Sequence, residues 1–294
     1  MKAVIYYLVA PLIYLVSYLP FWWLYRLSDA MYFSLYHVLG YRRKVVGKNL
    51  ENAFPEKSAA DRKAIERKYY RYLCDLTVET IKSLSITPKA LRKRLVFKNF
   101  EIFQKYYDEK RSIIIAMGHW GNWELGGARF AIEPVHKLYV IYHPLQNKYF
   151  DRLVIKMRCR LGNGLYPMAQ AIRGMIRDKA ELTATAFIAD QTPSPSDAFW
   201  MDFMNQDTPV FTGTGKIANK MDYPVVYAGV RRVKRGYYEI NLEDLVPNPT
   251  ALNPFEIVEL FTRRLEVDIR EMPEIWLWSH RRWKHKRTQL QSPQ

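Results

Sequence analysis

Ile113-Ile114-Ile115-Ala116 is a short, β-branched apolar run bounded by Arg111 and Gly118. Such a run reads as a buried strand, and a strand buried on both faces belongs in the middle of a sheet. Its C-terminal end carries Met117-Gly118-His119-Trp120-Gly121-Asn122-Trp123-Glu124. Open α/β sheets bind their ligands beyond the ends of such strands. Glu124 follows His119 by five residues. On one continuous helix that offset turns two side chains roughly 140° apart. Across a strand-to-helix turn the two can meet, with the carboxylate holding one imidazole nitrogen and leaving the other as a base. Glycines 118, 121, 126 and 127 let a substrate approach the backbone closely.

Strand and helix patterns alternate through the rest of the chain. Helical patterns cover 58–83, a helix opening at Thr87-Pro88, 99–109, 122–132, 147–160, 170–179, 213–221 and 253–271. Strand patterns cover 112–117, 138–142, 182–189, 224–231 and 237–242, with a Pro/Ser loop at 192–197 and a short apolar piece at 275–278. The alternation implies an α/β fold with a mixed, largely parallel sheet flanked by helices. The expected organisation is a membrane-anchor helix over 1–27, a helical membrane-proximal segment over 28–95 and an α/β domain over 96–294.

The anchor expectation rests on Ala3–Tyr25, 23 residues without an ionisable Lys, Arg, Asp, Glu or His. Pro20 would leave 17 residues for a span, with Trp22, Trp23 and Tyr25 as an interfacial belt. Lys2 alone precedes the segment, while Arg26, Arg42, Arg43, Lys44 and Lys48 follow it, which directs the body of the protein to the cytoplasm. Met31–Gly40 is again apolar and suits a membrane surface. The net charge of +16 calls for an anionic partner. Cys74 and Cys159 have no metal-site spacing and read as reduced structural thiols.

Other chemistry is open at this level. Arg158 and Arg160, near a helix end, suit anion anchoring through their guanidinium forks. Asp190, beyond the apolar strand Thr183–Ala189, can orient a base, bind an arginine or cap a turn. Gly213-Thr214-Gly215-Lys216 fails as a phosphate loop because Ile217 stands where Ser or Thr is needed, though Gly215 and Lys216 could still touch an anion. G-x-S-x-G and H-E-x-x-H are absent from the sequence, which disfavours a serine hydrolase and a zincin. The run His280–Arg287 holds five Lys/Arg in eight positions beside Trp276, Trp278 and Trp283, and suits an anionic lipid surface.

Taken in order, these motifs resemble the bacterial late acyltransferases of lipid A biosynthesis, within the lysophospholipid acyltransferase superfamily. The resemblance rests on the apolar N-terminus, Tyr41-Arg42-Arg43-Lys44-Val45-Val46 with Asn49-Leu50, and the H-x₄-D/E pair His119 and Glu124. It continues through Tyr142-His143-Pro144, Asp190-Gln191 and Trp278-Ser279-His280-Arg281-Arg282-Trp283-Lys284. It implies transfer of a fatty acyl group from a thioester, usually on acyl carrier protein, to a lipid hydroxyl, most readily of a lipid A precursor. The site would face the cytoplasm at the inner membrane, with no cofactor and no nucleic acid. By residue, His119 would be the general base and Glu124 its partner. Arg158 or Arg160 and Asp190 would fall on the family's arginine and acidic residue. Asn122 and the backbone N–H groups of Gly118–Asn122 join the candidates for contacting substrate. A lysophospholipid or an amino-acid-containing lipid would be served by the same pair. A non-enzymatic tethered binder of anionic lipid or nucleic acid would give Glu124 no role. His143 stands where the family usually has arginine, and His285-Lys286 where Thr-Arg is usual, which bears on the acceptor.

Overall fold

A computed structural model describes residues 2–287. Its centre is a seven-stranded sheet ordered β1-β9-β8-β2-β5-β3-β4. The strands are β1 (Leu95–Lys98), β2 (Ile113–Met117), β3 (Lys137–Tyr142), β4 (Gly164–Pro167), β5 (Thr183–Ile188), β8 (Val225–Lys234) and β9 (Tyr237–Val246). All neighbours pair parallel except β8 and β9, which form an antiparallel hairpin. β2 lies between β5 and β8, and all five of its residues are buried, as an unbroken apolar run requires. A separate antiparallel hairpin, β6 (Ala198–Phe203) and β7 (Gln206–Phe211), follows the Pro/Ser loop.

The helices are α1 (Lys2–Tyr18), α2 (Phe21–Tyr32), α3 (Arg43–Ala53), α4 (Ala59–Lys82), α5 (Pro88–Arg94), α6 (Glu101–Asp108), α7 (Trp123–Phe130), α8 (Lys148–Cys159), α9 (Ala171–Arg177), α10 (Gly213–Met221) and α11 (Pro254–Glu271). Their starts are written in the sequence. Ser58 caps α4 by accepting from the Asp61 N–H, Thr87 caps α5 ahead of Pro88, and Asn253 with Glu256 forms a capping box ahead of α11. α7 packs on β1 and β3, and α11 on β2, β8 and β9.

The single anchor helix expected over 1–27 is divided into α1 and α2, which separate at Pro20. Among the described residues no helix is long and apolar enough to cross a membrane. Pro20 ends the first helical stretch, so α1 has 17 residues. α1 then lies against α4 and α8: Tyr6 meets Tyr149 and Phe150, and Lys82 caps the carbonyls of Ser17 and Leu19. Its other side leaves Val4, Tyr7, Leu8, Leu12 and Leu15 exposed, and Trp22 and Trp23 stack on each other nearby, also exposed.

The C-terminal tryptophans are part of the core. Trp276 and Trp278 are buried, Trp278 donates to the Pro273 carbonyl, and Trp283 donates to Thr208. Asn49 donates to the carbonyls of Trp278 and His280, and Arg42 to that of Ser279. The two basic motifs at opposite ends of the chain therefore hold each other. Arg282 is buried as well, its Nε and Nη1 without a hydrogen-bond partner among the described residues, and burial lowers its pKa to about 10. The run is thus not a uniform lipid-facing surface.

Candidate active site

The parallel register of β2 and β5 pairs Met117 with Ile188. Two residues further along each strand stand His119 and Asp190, so the ladder delivers them side by side. Asp190 Oδ1 lies 2.5 Å from His119 Nδ1, and Oδ2 accepts from the His119 backbone N–H at 2.8 Å and from Trp276 Nε1 at 2.7 Å. Burial alone would raise the Asp190 carboxyl. The charge of His119 and the donors from His119 and Trp276 outweigh it and hold the group down to about 2. With an ionised carboxylate against Nδ1, the proton of a neutral imidazole sits there, and the Nε2 lone pair faces outward. Trp123 packs edge-on against the ring, with centroids 4.8 Å apart, limiting its rotation.

The loop carrying His119 is held by the C-terminal segment. Leu277 N donates to His119 O, and Gly121 N to Ile275 O, pairing Trp120 with Trp276. Gly121 has φ +69°, and a Cβ there would lie 1.6 Å from the Val230 carbonyl oxygen, so only glycine fits. Two of the backbone N–H groups considered as substrate donors, those of His119 and Gly121, are thereby already bonded.

The direct His119–Glu124 contact expected from the sequence does not form. Glu124 sits in the first turn of α7 and makes a two-pronged ion pair with Arg158, through Nε at 3.0 Å and through Nη2. The loop turns the imidazole toward β5 while α7 points the carboxylate toward α8. Burial would lower the Arg158 pKa, but the Glu124 carboxylate more than offsets it, and the guanidinium stays charged. Arg158 and Arg160 are two residues apart, roughly 200° around a helix. Arg160 consequently turns away to the carbonyls of Ser83 and Ile86, joining α8 to the α4–α5 connection. Asn122, placed among substrate contacts from the sequence, is fully buried instead. Its Oδ1 caps α7 at Leu125 N, and its Nδ2 donates to Glu79. Glu79 also accepts from Tyr25 and Tyr238, and burial raises its pKa despite these three donors.

His119, Glu124 and Arg158 line one cavity of about 300 Å³, together with Tyr142, His143 and Gln191. Ile141, Met168 and Ile188 also line a neighbouring groove of about 210 Å³, which runs on past Ile172 and Phe211 to Ile217. Its walls are almost wholly apolar. Gly213 and Thr214 lie along this groove rather than at an anion site. Gly215 serves packing: a Cβ there would lie 1.9 Å from the Pro254 carbonyl oxygen of α11. Asp190, open in the sequence as an orienter of a base, a partner for arginine or a turn cap, and Gln191, given no separate role there, each touch the imidazole. The matching positions of two polar residues beyond two buried runs were the available clue.

A base nitrogen with a fixed tautomer, a charged guanidinium and an apolar extension can activate a hydroxyl beside an anionic, lipid-like ligand. Comparison with known proteins agrees in kind. The family model for bacterial lipid A biosynthesis acyltransferases matches residues 1–285. The chain is 24% identical over 279 residues to the lipid A biosynthesis lauroyltransferase of Escherichia coli K12, covering 92% of this chain and 89% of that one. It is 22% identical over 247 residues to the lipid A biosynthesis palmitoleoyltransferase of the same organism, covering 83% and 79%. The protein belongs to the bacterial lipid A biosynthesis acyltransferase family, and it is an acyltransferase.

Replacing Asp190 by Asn keeps the shape but removes the charge that selects the Nδ1–H tautomer. The turnover number should fall about 10³–10⁴-fold, the range seen when a catalytic imidazole loses its orienting carboxylate. The depressed pKa also means that Asp190 stabilises the fold above its ordinary value of 3.8, a contribution lost as pH falls through about 2. Urea unfolding of Asp190→Asn between pH 4 and 2 should therefore show a flatter pH dependence than the parent. Parallel curves would contradict the assignment.

Proposed function

We propose that the protein moves a fatty acyl group from an acyl thioester, carried by acyl carrier protein, to a hydroxyl of a lipid A precursor. The observation that carries this reading is the His119 imidazole, fixed by Asp190 at Nδ1, opening through Nε2 onto a cavity that continues as an apolar groove. A thioester is already activated, so no covalent enzyme intermediate is required. His119 Nε2 takes the proton of the acceptor hydroxyl as its oxygen adds to the thioester carbonyl carbon. Asp190 stabilises the imidazolium that forms. Collapse of the tetrahedral intermediate breaks the C–S bond, and the leaving thiolate takes the proton back from His119.

Arg158, kept charged and aimed by Glu124, is the anchor for an anionic group of the acceptor. In this reading Glu124 acts on the site through Arg158 rather than on the imidazole. The donor chain lies in the groove between Ile141 and Ile217. The Escherichia coli relatives are a lauroyltransferase and a palmitoleoyltransferase, so the acyl group differs between proteins of this kind. The exposed apolar side of α1, continued by Trp22 and Trp23, rests on the cytoplasmic surface of the inner membrane without crossing it. α8 has α1 on one side and contributes Asp151, Val154 and Arg158 to the cavity, which brings the bilayer surface near the site. The excess of basic residues suits both an anionic leaflet and an acidic carrier protein.

His119→Ala should abolish acyl incorporation into a lipid A precursor while the variant still floats with anionic vesicles. Normal incorporation by that variant would end the proposal. Gly213 lines the groove, and a side chain grown there meets nothing within 4 Å of its Cβ. Gly213→Leu should lower kcat/KM for the longest good acyl donor by at least about tenfold relative to a shorter one. An unchanged chain-length profile would place the acyl chain elsewhere.

A further inference from the structure

Gln191 faces the one nitrogen that the reaction needs. Its Nε2 lies 3.2 Å from His119 Nε2. Because Asp190 holds the proton on Nδ1, Nε2 of a neutral His119 can only accept, so the group facing it is the amide NH₂ donating. Among the described residues this is the amide's one hydrogen bond. The backbone on either side is fixed. Asp190 is locked beneath the imidazole, and the Thr192 N–H donates to His280 Nε2 while its hydroxyl donates to the Arg282 carbonyl. Burial lowers His280 to about 4, so it stays a neutral acceptor for that clamp. The half-buried Gln191 side chain is thus a short arm on a rigid base, held at its tip by a single bond and lining the reaction cavity.

We propose that Gln191 is a selectivity gate, its amide occupying His119 Nε2 until a lipid hydroxyl displaces it. The proposal rests on His119 being the base and addresses a problem that reading creates. An activated thioester beside a general base in an open cavity is exposed to hydrolysis. In that side reaction a water oxygen adds to the carbonyl carbon and its proton passes to His119 Nε2. The C–S bond then breaks, and the thiolate recovers the proton to give free fatty acid and thiol. Water brings no remote groups whose binding energy could be spent on displacing the tethered amide. A lipid acceptor does, because binding energy from its remote groups, gripped by Arg158 and the cavity walls, can be spent on moving one side chain. The gate therefore opens preferentially for the acceptor.

The test compares the parent protein with Gln191→Leu, which keeps the bulk and loses the donor, and with Gln191→Ala. Each is given a dodecanoyl–acyl carrier protein donor. Free fatty acid release is measured without acceptor, and acyl transfer is measured with a lipid A precursor. Loss of the gate should raise the ratio of hydrolysis to transfer about tenfold in both variants, equivalent to about 1.4 kcal/mol. An unchanged ratio, or hydrolysis and transfer falling together, would overturn the proposal and assign Gln191 to support of the fold or of the transition state. If His119→Ala retained both reactions, the base assignment itself would fail, a result distinct from failure of the gate.

Discussion

One buried carboxylate organises the candidate active site. Asp190 receives the imidazole, the peptide N–H of the same histidine and an indole N–H from the C-terminal segment, and so joins three stretches of chain at one point. An ionised carboxylate removed from water is unfavourable unless charged or hydrogen-bonding partners surround it. Here the partners are themselves parts of the candidate site, so the requirement that stabilises the charge also fixes the imidazole. Two oxygens accept three donors, which leaves little freedom in where the ring can point.

Around this centre the protein uses contacts between distant segments. The loop bearing His119 pairs with the strand-like piece after α11, and that piece is gripped in turn by Asn49 and Arg42 near the other end of the chain. The start of α7 is secured from beneath by Asn122 and Glu79, and Glu79 also takes the Tyr25 hydroxyl of α2. Sequence motifs that look unrelated, the basic patch near residue 42 and the tryptophan-rich terminus, are two halves of one support. The rings of Trp276 and Trp278 and the guanidinium of Arg282 are inward while Arg42, Lys44, Arg281, Lys284, Lys286 and Arg287 stay exposed, so a purely surface reading of them holds only in part.

Much of this was legible from residue patterns. The buried run before His119, the helix over Gly213–Met221 and the capped starts of α4, α5 and α11 follow from local chemistry. The edge strands β1 and β4 were not legible: each is four residues long, and β4 contains Gly164 and Pro167. The β6–β7 hairpin was also hidden, because its turn places Met204 and Asn205 at positive φ with no glycine to announce it. The sequence leaves Asp190 open as an orienter of a base but points to Glu124 as the partner of His119, for a deeper reason. Glu124 is five residues away in sequence and Asp190 is 71 away. Only the register of two parallel strands, a property of the assembled sheet, reverses which of them is near in space. The apolar N-terminus was legible only in part, since composition records that it avoids water but not that one of its sides packs against α4 and α8.

The account's central claim is that Asp190, rather than Glu124, holds the Nδ1 proton of His119. Proton NMR of the protein with ¹⁵N-labelled histidine reads this directly. A strongly deshielded Nδ1–H resonance should be present in the parent and in Glu124→Gln, and absent in Asp190→Ala. Its survival in Asp190→Ala, or its loss in Glu124→Gln alone, would contradict the account.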